Sequence, residues 1–269
     1  MSSALRYLVQ HPVTQHYLQA RLAMRLPICL LVALLVLGVF VSPVATRTFD
    51  ITHDLAAYYP LNGNTEDESG NHNHAALVGP VWGMNMCARP KSALQFYPQG
   101  HSYMVADTKP LSPVPGEIEA LTLAAWIYPT RMDDTRIIVD KFNPRTQDRE
   151  FRFALQNGKL RFIWAAVNEK ADAEDCDFIE SANALKINRW HHVAASYQRG
   201  KAILYVNGEE VAAKATRDWP IYEANADLQI GGNGVEDSGF FNGKIDDLRV
   251  YTRALEVSDI QVLAARPCQ

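Results

Sequence analysis

The chain has 269 residues, a formal net charge of −4, and a composition that is 48% hydrophobic, 10% aromatic and 21% charged. That composition excludes wholesale disorder and collagen-like repeats, and the length allows one large domain or two small ones. The near-neutral balance argues against a nucleic-acid partner, which needs a basic face to neutralise phosphates.

The charge is unevenly spread. Residues 1–48 hold Arg6, Arg21, Arg25 and Arg47 and no acidic residue, which moves the remainder from −4 to −8. Within this stretch Leu26 to Val41 is uncharged and continuously apolar. Continued through Ser42 to Ala45, it reaches the ~20 residues that a membrane-spanning helix needs. Arg21 and Arg25 precede it, so the positive-inside rule puts the short N-terminus in the cytoplasm and the body outside. Two readings stay open. One is a cleaved signal peptide, compact if translation starts at Met24 but with Pro43 poorly placed for cleavage after Ala45. The other is an uncleaved signal-anchor. Cys29 lies in the apolar segment. The body holds Cys87, Cys176 and Cys268, an odd number that suggests one bridge plus a thiol, or an intermolecular link.

After Thr48 short β-rich runs follow one another, separated by Gly, Asn, Asp and Pro. In chain order, strands are expected at Leu55 to Pro60, His74 to Val81, Ala93 to Phe96, Tyr103 to Ala106, Leu121 to Tyr128 and Arg136 to Asp140. They continue with Phe151 to Gln156, Lys159 to Ala165, His192 to Tyr197, Ala202 to Val206, Glu209 to Ala212, Leu228 to Ile230 and Gly243 to Tyr251. Asn157-Gly158 and Asn207-Gly208 each separate two such runs, and Asn-Gly supplies the two positive-φ residues of a type I′ hairpin turn. Phe151, Phe153 and Leu155 share one face while Arg152 points to the other. Ser112 to Gly116 and Lys170 to Asp177 read as loops. These thirteen short antiparallel strands with no internal repeat predict an all-β, two-sheet jelly-roll sandwich over 49–269, preceded by the N-terminal hydrophobic helix.

The pieces AAYYPLNGNTEDESGNHNHAALVG (56–79), KSALQFYPQGHSYMV (91–105), LTLAAWIYPT (121–130), RWHHVAASYQRGKAILYVNGEEVA (189–212), LQIGGNG (228–234) and FFNGKIDDLRVYTRALEVSDIQVLA (240–264) occur in a telling order and spacing. Through them the body resembles the concanavalin A-like lectin/glucanase superfamily, in its laminin-G-like, pentraxin-related branch. The resemblance is specific for fold and far less so for function, because this fold hosts lectins, enzymes and adhesion modules. In related domains the first loop and the last strand meet, and a calcium ion often joins them. The resemblance thus implies Asp67 and Asp247 as side-chain ligands, Asn64 and Asn71 as further oxygen donors, and Asp246 as the alternative to Asp247. The competing reading is a polar turn at 67–70. Because the first and last strands of the family are neighbours, the resemblance also implies a Cys87–Cys268 bridge with Cys176 outside it.

Four clusters bear on chemistry. Trp190-His191-His192 invites a metal reading, but adjacent strand residues point to opposite faces, so packing is expected. A hydrolase of the superfamily needs paired carboxylates in a Glu-x-Asp-x-x-Glu strand, and that motif is missing. Glu117-Ile118-Glu119 lacks the third carboxylate, and the adjacent pairs Asp133-Asp134, Glu209-Glu210 and Asp246-Asp247 diverge. The acidic stretch Asp172, Glu174, Asp175, Asp177 lacks the Gly and Glu of an EF-hand loop and reads as solvated. Trp126 and Trp164 are expected in the core. Trp219 and Tyr222 flank Pro220 in an irregular segment and are the candidates for stacking on a pyranose. The expected role is an exported, non-enzymatic module that binds a carbohydrate or cell-surface glycan and carries a structural calcium. The rival is an adhesion or envelope module with a protein partner, and a glycoside hydrolase stands third.

Overall fold

The computed structural model describes residues 50–107, 116–143, 145–146, 148–166 and 176–265. The chain divides into Met1–Thr48 and Phe49–Gln269, and the described residues all fall in the second unit. The apolar segment 26–45, Cys29, Cys268 and the acidic residues Asp172, Glu174 and Asp175 lie outside them.

The strands are β1 (Leu55–Tyr59), β2 (Ala75–Val78), β3 (Val81–Gly83), β4 (Ala93–Phe96), β5 (Tyr103–Ala106), β6 (Glu117–Ile118), β7 (Ala120–Pro129), β8 (Thr135–Asn143) and β9 (Asp148–Gln156). There follow β10 (Lys159–Ala165), β11 (Cys176–Ala184), β12 (His191–Gln198), β13 (Lys201–Val206), β14 (Glu209–Ala215), β15 (Ile221–Tyr222), β16 (Leu228–Ile230) and β17 (Gly243–Tyr251), then one helix, α1 (Val257–Ala264). They build two antiparallel sheets. The first runs β14-β13-β12-β7-β17-β4-β3, with β1 also on β17, and the second runs β11-β10-β9-β8-β16-β5-β2. A short pair, β15-β6, forms a third sheet, bridged at Ile221 to Ala166 just after β10. This is the expected sandwich.

Alternation makes the core. Along β10 the side chains of Leu160, Phe162 and Trp164 are buried, while Lys159, Arg161 and Ile163 are half-exposed. They meet Phe151, Phe153 and Leu155 of β9 and, across the sandwich, Leu121, Leu123, Ala125 and Ile127 of β7. Each such aromatic or leucine side chain contributes about 1.5–3 kcal/mol by leaving water. The far face of the first sheet is covered as well. Ala124, Ala194, Tyr205 and Tyr251 pack under Leu255, Ile260 and Leu263 from α1 and its approach. The central strands β7, β12 and β17 are therefore buried on both faces, which explains why their sequences are apolar without clean alternation.

Both Asn-Gly turns have the geometry read from sequence. Asn157 and Gly158 have φ of 51° and 82°, and Asn207 and Gly208 have φ of 52° and 83°. Three expectations change. The run His74 to Val81 is two strands, because Gly79 (φ 82°) and Pro80 turn the chain out of the second sheet into the first. β11 occupies a stretch read partly as loop. It is an edge strand in which only Ile179 and Ser181 are buried, so its sequence shows no clear apolar alternation. The pair β6–β15 was also missed, being two residues long in each strand. Gly243, where β17 leaves β7, has φ of 141°, and a Cβ there would stand 2.0 Å from the Tyr128 carbonyl oxygen, so only glycine fits.

Candidate binding recess and the fate of the predicted ligands

At one end of the sandwich the inward face of β10 finishes on Trp164. Its ring stacks on Phe162 at 5.2 Å and leans on Tyr197 of β12, also at 5.2 Å. Both Trp164 and Tyr197 are almost fully buried, so they are core and floor at once. The segment after β14 closes over this floor. Tyr197 donates its hydroxyl hydrogen to the Trp219 carbonyl oxygen, and burial pushes the phenol up to about 12, which keeps it a neutral donor. The result is a recess of about 180 Å³ lined by Trp164, Ala166, Cys176, Asp177, Tyr197, Arg217 and Trp219.

Charge frames the opening. Lys214 of β14 pairs with Asp177, donates to the Phe178 carbonyl oxygen at 2.9 Å, and lies 5.9 Å from the Trp164 ring and 5.6 Å from that of Phe178. Arg161 sits 4.0 Å over Phe178 from the other side. The Arg217 guanidinium lies 4.8 Å over Trp219. Cations and ring faces thus alternate along this end of the sandwich.

Of the two predicted contact aromatics, Trp219 lines the recess, half-buried, and Tyr222 does not. Tyr222 is exposed on β15, opposite Glu117. Sequence reasoning missed Trp164 and Tyr197 as site residues because strand alternation marks them as core, which they also are. Arg217 carried no pattern signal. A second recess of about 360 Å³ is lined by Leu185, Lys186, His191, Val206 and Val211 among others. It has no aromatic floor.

The expected calcium ligands have other work. Asp67 is buried, and both its oxygens accept from protein donors. Oδ1 takes the N–H groups of Tyr58 and Ser69, and Oδ2 takes the Ser69 hydroxyl and the Asn73 N–H, each at 2.9 Å. Asn71 turns its amide nitrogen, not its oxygen, to the Leu55 and Ala56 carbonyls, and Asn73 does the same to Ala56. Asn64 accepts the Glu66 N–H. These groups cover the outer edge of β1 as a surrogate strand would. In β17, Asp247 accepts from Nε and a terminal nitrogen of Arg249. Asp246 is buried, accepts the Asp247 N–H, and is pushed up to about 8 by burial and then by the Asp247 charge. A calcium ion needs six to eight oxygen lone pairs turned towards it. Here both oxygens of Asp67 and one oxygen each of Asn64, Asp246 and Asp247 already accept from protein donors, the arrangement of a backbone cap rather than of an open ion site. Among the described residues no group of three or more His, Cys, Asp or Glu is arranged to hold a metal.

The remaining clusters resolve similarly. His191 and His192 point to opposite faces. The Nε2 of His191 lies 3.0 Å from the Lys186 carbonyl oxygen. His192 packs edge-on against Trp126 at 5.4 Å and is held down to about 3 by burial and then by Arg249, so it is neutral. Two carboxylates do converge, Asp140 and Glu236, both on the same nitrogen of Arg152. Asp140 is fully buried and also accepts from Asn233, while Glu236 is exposed, so this pair anchors the turn after β16. Cys87 is disulfide-bonded, with Cys268 outside the described residues, and Cys176 is a thiol in the recess wall.

A family model described as the concanavalin A-like lectin/glucanases superfamily matches residues 99–261. No curated protein matches the chain. Among solved structures, the binding domain of Paraclostridial Mosquitocidal Protein 1 superposes with a TM-score of 0.64 at 15% identity, covering 80% of this chain and 52% of that one. The ligand-binding domain of botulinum neurotoxin serotype D in complex with N-acetylneuraminic acid gives 0.59 at 14%, covering 80% and 51%. The binding domain of botulinum neurotoxin DC in complex with rat synaptotagmin II gives 0.60 at 14%, covering 81% and 53%. The chain spans about half the length of these structures, and at such identities the likeness is one of fold.

Proposed function

We propose that this chain, which belongs to the concanavalin A-like lectin/glucanases superfamily, is a non-catalytic module that recognises a glycan outside the cytoplasm. The observation that carries this reading is the recess where Trp164, Tyr197 and Trp219 converge beside Asp177 and Arg217. Ring faces take the apolar face of a pyranose, and charged groups at their rim take its hydroxyls. That similar folds belong to binding domains in complex with N-acetylneuraminic acid and with rat synaptotagmin II supports a binding role. The burial of Asp140, and the tie of both Asp140 and Glu236 to Arg152, support a module without hydrolysis. Export rests on Leu26 to Val41 and its preceding arginines, with the body anchored or released according to cleavage.

A glycan array probed with the full chain in detergent micelles tests the reading. A defined subset of glycans should bind, and binding should survive EDTA. A folded sample that binds no glycan above background would end it. The rival reading, a protein partner, draws on one feature. Leu77, Val78 and Val81 are exposed on β2 and β3, the terminal strands of the two sheets. Such edges accept a strand from another chain. A protein retained under the conditions of an empty array would favour it.

A further inference from the structure

We propose that the recess takes an acidic sugar, with the Arg217 guanidinium gripping a carboxylate or sulfate and the Trp219 ring lying under the pyranose. The proposal rests on the glycan reading above and names its ligand class.

The argument is one of unspent charge. Around the recess the other cations are engaged by protein acids. Lys214 pairs with Asp177, Arg199 with Glu119 and Asp218, and Arg161 with Glu180. Arg217 has no carboxylate within ion-pair distance among the described residues. Its hydrogen bonds use its backbone carbonyl, which accepts from the Gly200 N–H and the Thr216 hydroxyl. Its guanidinium rests on the Trp219 ring at 4.8 Å, which holds the fork beside the recess without engaging an acid. A guanidinium fork matches the paired oxygens of a carboxylate or sulfate, and bonds of that kind are about twice as strong as neutral ones. Asp177 lies in the same recess, but Lys214 neutralises it, so the local balance favours an anion. At about 180 Å³ the recess is smaller than the ~300–1,000 Å³ of pockets for drug-sized ligands, which suits a single sugar ring. Glu169, Asp172, Glu174 and Asp175 lie in sequence between two lining residues, Ala166 and Cys176.

The test is calorimetric titration of the full chain in micelles, at physiological salt, with three probes. Hyaluronan hexasaccharide carries carboxylates, a carrageenan hexasaccharide carries sulfates, and chitohexaose is neutral. One or both acidic probes should bind at least about tenfold tighter than chitohexaose, and which one does identifies the anion. Arg217→Met should abolish that preference with an unchanged Tm, because the side chain is exposed. Arg217→Lys, which keeps the charge without the fork, should retain part of it. Chitohexaose binding as tightly as both acidic probes, or an Arg217→Met variant with unaltered affinities, would overturn the proposal and leave the glycan reading standing. Silence from all three probes and from the array would remove both.

Discussion

Asp67 shows how one residue type in one place supports two opposite readings. A run of Asn, Glu, Asp and Ser on a tight turn has the composition of a calcium loop and equally that of a backbone cap. Sequence cannot choose, because the choice depends on which way the lone pairs face. In the fold they face the N–H groups of Tyr58, Ser69 and Asn73, and β1 gains from side chains the partners that a neighbouring strand would give. Removing the charge should therefore matter more than removing an ion. Asp67→Asn weakens four bonds to a buried carboxylate, each worth about 1.5–3 kcal/mol, and should cost on the order of 2–4 kcal/mol after partial re-pairing. That corresponds to roughly 5–10 °C in Tm for a domain of this size. Millimolar calcium added to chelator-stripped protein should leave the parent Tm within about 1 °C. A rise of several degrees would mean that native-state ion binding occurs after all. The aromatics were legible to a similar degree. Trp219 stood out because it flanks Pro220, whereas Trp164 and Tyr197 were hidden by the very alternation that identified their strands.

Among the elements, β17 holds the most unusual backbone, and it carries a pH signature. Its register slips between Asp246 and Arg249, with Asp247 at φ 49°. The bulge turns Asp247 towards Arg249, whose guanidinium lies 3.8 Å over Tyr58, and leaves Asp246 buried beside Trp126 in the neighbouring strand. Burial raises Asp246 from 3.8 to about 8. The folded state thus keeps a proton that the unfolded chain has lost, and the associated stability is present below about pH 4 and disappears as pH rises through 8. Glu150, raised to about 7 by burial against the pull of Lys141, acts in the same direction. His192, lowered to about 3, acts the other way, adding stability as pH rises from 3 towards 6.5. These trends overlap in the parent profile, so a difference measurement is needed. Asp246→Asn keeps the oxygen that accepts the Asp247 N–H and deletes the titration. Its Tm relative to the parent should improve steadily between pH 4 and pH 9, and a constant offset would show that Asp246 ionises normally. The bulge was invisible in the sequence, where Gly243 to Tyr251 reads as one regular strand. The Asn-Gly hairpins were plain because their turn type needs particular residues, and β11 was obscure because an edge strand with so few buried positions leaves no regular apolar pattern.

For the whole molecule, hydrophobic alternation in strands such as β10 and turn chemistry between strands revealed the sandwich, while the central strands β7, β12 and β17 showed themselves as apolar runs buried on both faces. The order in which strands pair was legible only through resemblance, since β17 beside β7, β4 and β1 leaves no local trace. Cellular placement rests on a different physical feature, the contrast between the arginine-bearing apolar start and a body with a balance of −8. Among the described residues no helix is long and apolar enough to cross a membrane. We propose that residues 1–25 face the cytoplasm and the body faces out, where the Cys87 disulfide is also at home. Protease added to intact cells or spheroplasts should then digest the sandwich, beginning at exposed loop tips, while a cytoplasmic marker survives. Maleimide labelling of Cys176 by a membrane-impermeant reagent, after mild unfolding of washed cells, should report the same side. A body that resists protease and label while an external control is cut and a lysed sample is digested would place the sandwich inside, and with it any glycan that it binds.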